Sequence, residues 1–201
     1  MSDDSVDKSK RRFLVQLTSA TAAVGAVGLV IPIVESMNPS ARAAAAGAPV
    51  EVDISKIEPG EMITVVWRKQ PVWVLNRTDK NMSDLPKHDA QLTDPESEVP
   101  QQPPYCKNEY RSQADHKNMW VAIGICTHLG CSPTYRPDVA PPDLGKDWVG
   151  GYFCPCHGSR FDLAGRVYNG SPAPTNLVIP PYRYVNNTTI IVGEDPTKGA
   201  A

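Results

Sequence analysis

The sequence carries no surplus of positive charge: 20 Lys and Arg stand against 22 Asp and Glu, a net charge of −2 at pH 7. That balance excludes the basic face needed to neutralise nucleic-acid phosphates. Phenylalanine is scarce, with three in 201 residues, whereas prolines number 20. Proline breaks helices, so this pairing excludes a helical bundle and points to a loop-rich body. Cysteine and histidine are also few, five and four, and their placement is uneven. Four of the cysteines and two of the histidines fall in two short stretches, Cys126-Thr127-His128-Leu129-Gly130-Cys131 and Cys154-Pro155-Cys156-His157-Gly158-Ser159.

Two matched boxes of thiol and imidazole, each with a glycine turn, describe one shared metal centre. Thiolates suit iron in a sulfide-bridged cluster, and neutral imidazoles suit the same metal while donating less charge. A [2Fe-2S] cluster with mixed ligation fits this set. A structural zinc site, the other common use of such boxes, needs four ligands where these offer six.

The C-T-H-L-G-C and C-P-C-H-G-S boxes resemble those of the Rieske iron-sulfur subunit of the bacterial ubiquinol-cytochrome c reductase (cytochrome bc1 complex). The resemblance runs from the basic N-terminus to Gly170-Ser171-Pro172-Ala173-Pro174 and weakens over residues 77–118. It implies an all-β fold: a Rieske-type antiparallel β-sandwich with a cluster-binding subdomain at 126–174, preceded by one transmembrane helix. It implies one cluster per subunit, with Cys126 and Cys154 on one iron and His128 and His157 on the other, and a Cys131–Cys156 disulfide between the loops. It also implies transfer of one electron from ubiquinol, held by cytochrome b, to a c-type cytochrome in a dimeric, proton-translocating complex. His157, with His128 as the alternative, takes the quinol proton in that mechanism. The resemblance further implies Leu129 at the docking surface and Gly130, Ser159, Phe161 and Pro172 around the cluster, with the 170–174 loop covering it. One departure stands out: high-potential family members carry a tyrosine two residues after the serine of the second box, where this chain has Phe161.

Two related readings share the ligand pattern. A Rieske ferredoxin or oxygenase domain lacks counterparts of Cys131 and Cys156 and has no anchor. An exported Rieske subunit of an arsenite oxidase shares signal and disulfide; a retained helix and association with cytochrome b would exclude it.

Along the chain, Lys10-Arg11-Arg12-Phe13-Leu14 is similar to a twin-arginine export signal with lysine in the first arginine position. Export of folded cargo suits a cluster assembled in the cytoplasm. From Phe13 to Val34 no charge occurs, and at ~1.5 Å per residue such a helix spans about 33 Å, enough for a bilayer core of about 30 Å. Basic residues before it place residues 1–12 in the cytoplasm and the chain after Glu35 on the periplasmic side of the inner membrane, with 13–34 as the transmembrane helix. The small residues around Ala41-Arg42-Ala43 also resemble a cleavage site, although the family keeps its helix as a lasting anchor. Residues 35–49 read as a hinge, 50–193 as the Rieske domain and 194–201 as a polar tail.

Within that domain, Val50–Ile54, Met62–Trp67, Val72–Leu75, Met119–Ile125, Gly150–Phe153, Leu177–Pro180, Tyr182–Val185 and Thr188–Val192 predict strands, with a break at Pro71 and a turn at Asn186-Asn187. The polar, proline-rich 77–118 stretch predicts an excursion from the β-core, with His88 and His116 solvated. Cys106, outside both boxes, is expected to be an unpaired, partly shielded thiol.

Overall fold

The computed structural model describes residues 7–41 and 47–196. They form two units, residues 7–41 and residues 47–196. In the first, helix α1 (Lys8–Ser36) is long and apolar enough to cross a bilayer, and none of its side chains is buried. It begins five residues earlier than the uncharged run, because Asp7 caps it: the Asp7 carboxylate accepts from the N–H groups of Ser9 and Lys10 at 3.0 and 3.3 Å. The basic residues before Phe13 thus form the first turns of the helix, where Lys and Arg are good helix formers. Polar side chains within it turn back on their own backbone. Thr18 Oγ1 donates to Leu14 O at 2.6 Å and Thr21 Oγ1 to Leu17 O at 3.1 Å, which satisfies hydroxyls that lipid could not. The proposed cleavage site and hinge fall partly on residues 42–46, and the end of the tail on 197–201, outside the described residues.

The second unit is built from three antiparallel sheets of three strands each. One joins β1 (Val50–Asp53), β9 (Thr189–Val192) and β8 (Tyr182–Asn186). Another joins β2 (Met62–Trp67), β3 (Gln70–Asn76) and β4 (Met119–Ile123). The third, smaller sheet joins β5 (Thr134–Arg136), β6 (Gly151–Phe153) and β7 (Arg160–Phe161). Strand β3 passes through Pro71 where the sequence predicts a break. Pro71 lies one residue from the strand's start, and although it lacks an N–H its carbonyl still accepts from Gly124 N–H at 2.8 Å. Residues 177–180 make no strand. They bond singly, Val178 O accepting from Ile123 N–H and Ile179 N–H donating to Gln101 O, both at 2.8 Å, before Pro180 and Pro181 remove two donors.

Aromatic stacking joins the small sheet to the β2–β3–β4 sheet. Tyr152 of β6 stacks on Trp73 of β3 and Trp120 of β4, at centroid distances of 4.9 and 5.1 Å. Such rings bury large apolar areas and prefer offset stacking, so they fix one sheet against the other more narrowly than aliphatic contacts would. Gly124, after β4, is required by this packing, since a Cβ there would lie 2.3 Å from the Trp73 ring.

The 77–118 stretch does not stay outside the core. Thr78 and Asn81 form a reciprocal cap on helix α2 (Asp79–Asp84), and short 3₁₀ turns follow at Leu85–Gln91, Pro104–Cys106 and Ala114–His116. Leu85, Leu92 and Cys106 enter the apolar interior, and Arg77 and Arg111 are fully buried. Both guanidinium groups are held by backbone carbonyls. Arg77 donates to Tyr110 O at 2.8 Å and to Lys117 O, while Arg111 donates to Leu177 O at 2.6 Å and to Ala164 O and Gly165 O at 3.2 Å. Burial pulls both groups down to about 10, since a dry interior disfavours the charged form. A third arginine, Arg166, is buried too, but it is paired with Asp162 and Asp89 at 2.8 Å each. The Asp162–Gly165 turn is buried as well.

Candidate metal centre

The first box connects β4 to β5, and the second is the loop of the β6–β7 hairpin. Both have the same backbone geometry. Cys126 N–H donates to Cys131 O at 2.7 Å, and Cys154 N–H to Ser159 O at 2.8 Å, so each loop closes across five residues. Gly130 N–H returns to Cys126 O at 3.1 Å and Gly158 N–H to Cys154 O at 2.9 Å. Both glycines have φ in the left-handed region, +84° and +80°, which a side chain would strain and which explains the glycine in each box.

This geometry sorts the six Cys and His side chains by depth. Cys126 and Cys154 are each 2% exposed, His128 is half-buried and His157 is exposed. The two imidazole rings face each other edge to face, with centroids 4.8 Å apart. Cys131 and Cys156 form a disulfide, with Cα atoms 6.6 Å apart and a sequence separation of 25. The Sγ atoms of Cys131, Cys154 and Cys156 all lie within 4.8 Å of one another, so the bridge flanks a free, buried thiol. Burial raises the Cys154 thiol above its ordinary range, with the Cys126 thiol alongside, while the N–H groups of Cys156 and His157 aimed at its sulfur pull it down. Two buried thiols with N–H donors at one sulfur and two imidazoles on the solvent side fit a cationic centre bound by thiolate and imidazole.

A third element ties the boxes together. Thr127 Oγ1 donates to Thr175 O at 2.7 Å, and Ala173 N–H donates to Ser159 Oγ at 3.1 Å, so the 172–175 loop is bonded to both boxes. Pro172 and Leu129 are exposed, Leu129 at 71%, and Phe161 is fully buried in β7 opposite Tyr152.

The match to known proteins agrees with this arrangement. Residues 48–183 match the model of the Rieske [2Fe-2S] domain. The chain belongs to the Rieske family of iron-sulfur proteins. Residues 1–40 also match the twin-arginine signal of the ubiquinol-cytochrome c reductase Fe-S subunit. The ubiquinol-cytochrome c reductase iron-sulfur subunit of Allochromatium vinosum is 61% identical over 97% of this chain and 93% of that protein. Its counterpart from Bradyrhizobium diazoefficiens is 41% identical over 92% of this chain and 94% of its own length. A chain of a hyperthermophilic respiratory complex III is 26% identical, covers 86% of this chain and 96% of that chain, and superposes with a TM-score of 0.47. This Rieske protein is thus an electron-transfer subunit of the bc1 type that carries a [2Fe-2S] cluster.

The remaining Cys and His residues stand apart from the centre. Cys106 is fully buried, deeper than the partial shielding its surroundings in sequence suggest, and its Sγ donates to Tyr182 Oη at 3.6 Å. His116 is not simply solvated: its ring stacks on Tyr184 with centroids 3.8 Å apart, and His88 is half-buried. Burial pushes the Cys106 thiol from 9.0 up to about 11. The unfolded thiol loses its proton first, so this residue's contribution to stability is whole below pH 9.0 and is lost as pH rises through about 11. Alkylation of the native protein at pH 8 should accordingly leave Cys106 unlabelled, with labelling only after unfolding, as read by peptide mass spectrometry; rapid native labelling would contradict its burial.

Proposed function

We propose that the cluster is held by Cys126 and Cys154 on one iron and by His128 and His157 on the other. On this reading the protein takes single electrons from ubiquinol at cytochrome b and delivers them to a c-type cytochrome. It works in a dimeric, proton-translocating complex of the bacterial inner membrane, with α1 in the lipid bilayer and the cluster domain in the periplasm. When bound, the cluster supplies a one-electron couple. His157, the more exposed of the two imidazoles, accepts the hydrogen bond of a quinol hydroxyl and takes its proton. Leu129, which follows His128 in the first box and is 71% exposed, offers an apolar contact to the quinone pocket, and the buried thiols keep the electron-rich side of the centre away from water. The difference in exposure between the sulfur and imidazole ends carries this reading. Membranes of a strain lacking this chain should fail to reduce cytochrome c with ubiquinol, and the full chain should restore the rate together with the cluster's EPR signal. A restored rate with both His128 and His157 replaced would contradict it.

The hydrogen bonds around the cluster set its potential, because donors to sulfur favour the reduced, more negative state. Ser159→Ala should therefore lower the midpoint potential, and Phe161→Tyr should raise it by adding a hydroxyl. A net hydrogen bond to a charged group is worth about 1.5 to 3 kcal/mol, and ~59 mV corresponds to about 1.4 kcal/mol for one electron, so each shift is of order tens of millivolts to about a hundred. Redox titration at pH 7 checks both. An unchanged potential for Phe161→Tyr would mean that its ring edge does not reach the cluster.

A further inference from the structure

The segment that bonds both boxes is itself held from behind by the 77–118 stretch. Asn176, 1% exposed, is the joint. Its Oδ1 accepts from Val167 N–H at 2.9 Å, and its Nδ2 donates to Asp94 O at 2.9 Å and to Ser97 Oγ at 3.3 Å. The next carbonyl, Leu177 O, accepts from the buried Arg111. The acceptors on the far side belong to a rigid turn: the Asp94 carboxylate accepts from the N–H groups of Glu98 and Val99 at 2.8 and 3.0 Å. Ser97, fully buried, holds a φ of +54° there, a conformation that a non-glycine residue keeps only where its surroundings impose it.

We propose that Asn176 is a positioning residue for the redox site. It fixes residues 173–175 against the 94–99 turn and thereby holds Ala173 N–H on Ser159 Oγ. The inference rests on the ligand set proposed above. A hydroxyl that accepts a hydrogen bond keeps its own O–H free to donate, and the bond it accepts strengthens that donation. Ser159, two residues beyond His157, is placed to direct this O–H at the sulfur end of the centre, where a donor favours the reduced state. Releasing the loop weakens the donor, and the midpoint potential falls.

Three variants of the full chain in native membranes test this, each followed by EPR amplitude per protein, by redox titration and by amide exchange over residues 171–177. Asn176→Ala removes all three of these bonds and should keep the EPR signal, lower the midpoint potential and speed exchange of this segment by at least about tenfold, the scale of a single lost buried hydrogen bond. Ser97→Ala removes only the 3.3 Å bond and should move both readouts the same way by less; it also carries the test if Asn176→Ala does not accumulate. Leu85→Ala, which empties a buried site in the 77–118 stretch and removes no hydrogen bond of Asn176, should lower Tm and leave the potential in place. An unchanged or raised potential in Asn176→Ala and Ser97→Ala at full EPR amplitude would overturn the proposal. So would an equal fall in Leu85→Ala, which would make the effect one of stability alone. If the unaltered chain gave no such EPR signal, the ligand set itself would fail and the inference with it.

Discussion

Cys131→Ser and Cys156→Ser proteins should retain Cys126, His128, Cys154 and His157 and yet lose much of their cluster. The bridge closes a loop across 25 residues that includes β5 and all of β6, and on chain-entropy grounds a loop of this length is worth about 3.5 kcal/mol. Its effect is local as well. Cys131 supplies the carbonyl that closes the first box on Cys126 N–H, and Cys156 sits two residues beyond Cys154 in the second. Without the bridge each loop keeps its own hydrogen bonds, but nothing covalent holds one box against the other. A centre that needs ligands from both then loses its preorganised geometry. Iron and acid-labile sulfide per protein, measured after purification, should fall in both variants. Unchanged content and unchanged potential in both would show that the bridge does not support the site. The disulfide also requires an oxidising compartment, in agreement with the twin-arginine signal at residues 1–40.

Arg166→Met should destabilise the protein more than any surface substitution. Arg166 is fully buried and makes four contacts: Asp162, Asp89, Pro95 O at 3.3 Å and Leu85 O at 3.0 Å. Burial opposes its charge, but Asp162 and Asp89 outweigh this and raise the group above its usual range. Removing the cation strands Asp162, 2% exposed, with no counter-charge at its Oδ2. Breaking a buried pair from one side costs about 3 to 5 kcal/mol. At about 2 to 4 °C per kcal/mol, the thermal midpoint of the full chain in detergent should drop by roughly 6 to 20 °C. The double variant Asp162→Asn/Arg166→Met removes the stranded charge and should recover part of the loss. A drop below about 2 °C for Arg166→Met would mean that the pair contributes little.

These two cases mark what the sequence discloses and what it hides. The boxes are legible because each residue type in them has a chemical reason to be there: thiol and imidazole for the metal, glycine for a left-handed turn. Helix α1 is legible from its uncharged run, β1 from apolar alternation and β2, β4 and β9 from short β-branched and apolar runs, although a capping aspartate shifts the helix start to Lys8. The supporting structure is hidden because its bonds run from side chains to backbone. Arg77 and Arg111 end on carbonyls, which have no signature in sequence, so a polar stretch reads as surface while its arginines lie in the core. Asn176 and Thr127 are equally silent, since their partners lie 82 and 48 residues away. Leu177–Pro180 fails as a strand for the complementary reason: its apolar pattern is real, but its hydrogen bonds are single and its prolines end any ladder.

The central claim, that two imidazoles and two thiolates bind this chain's cluster, is tested most directly by pulsed EPR of the reduced full-length protein carrying ¹⁵N-labelled histidine. The account predicts hyperfine couplings from two nitrogens, one from each ring of His128 and His157, and the disappearance of the spectrum in Cys126→Ala and Cys154→Ala. A spectrum without histidine nitrogen coupling, or one that survives replacement of either of these cysteines, would contradict it.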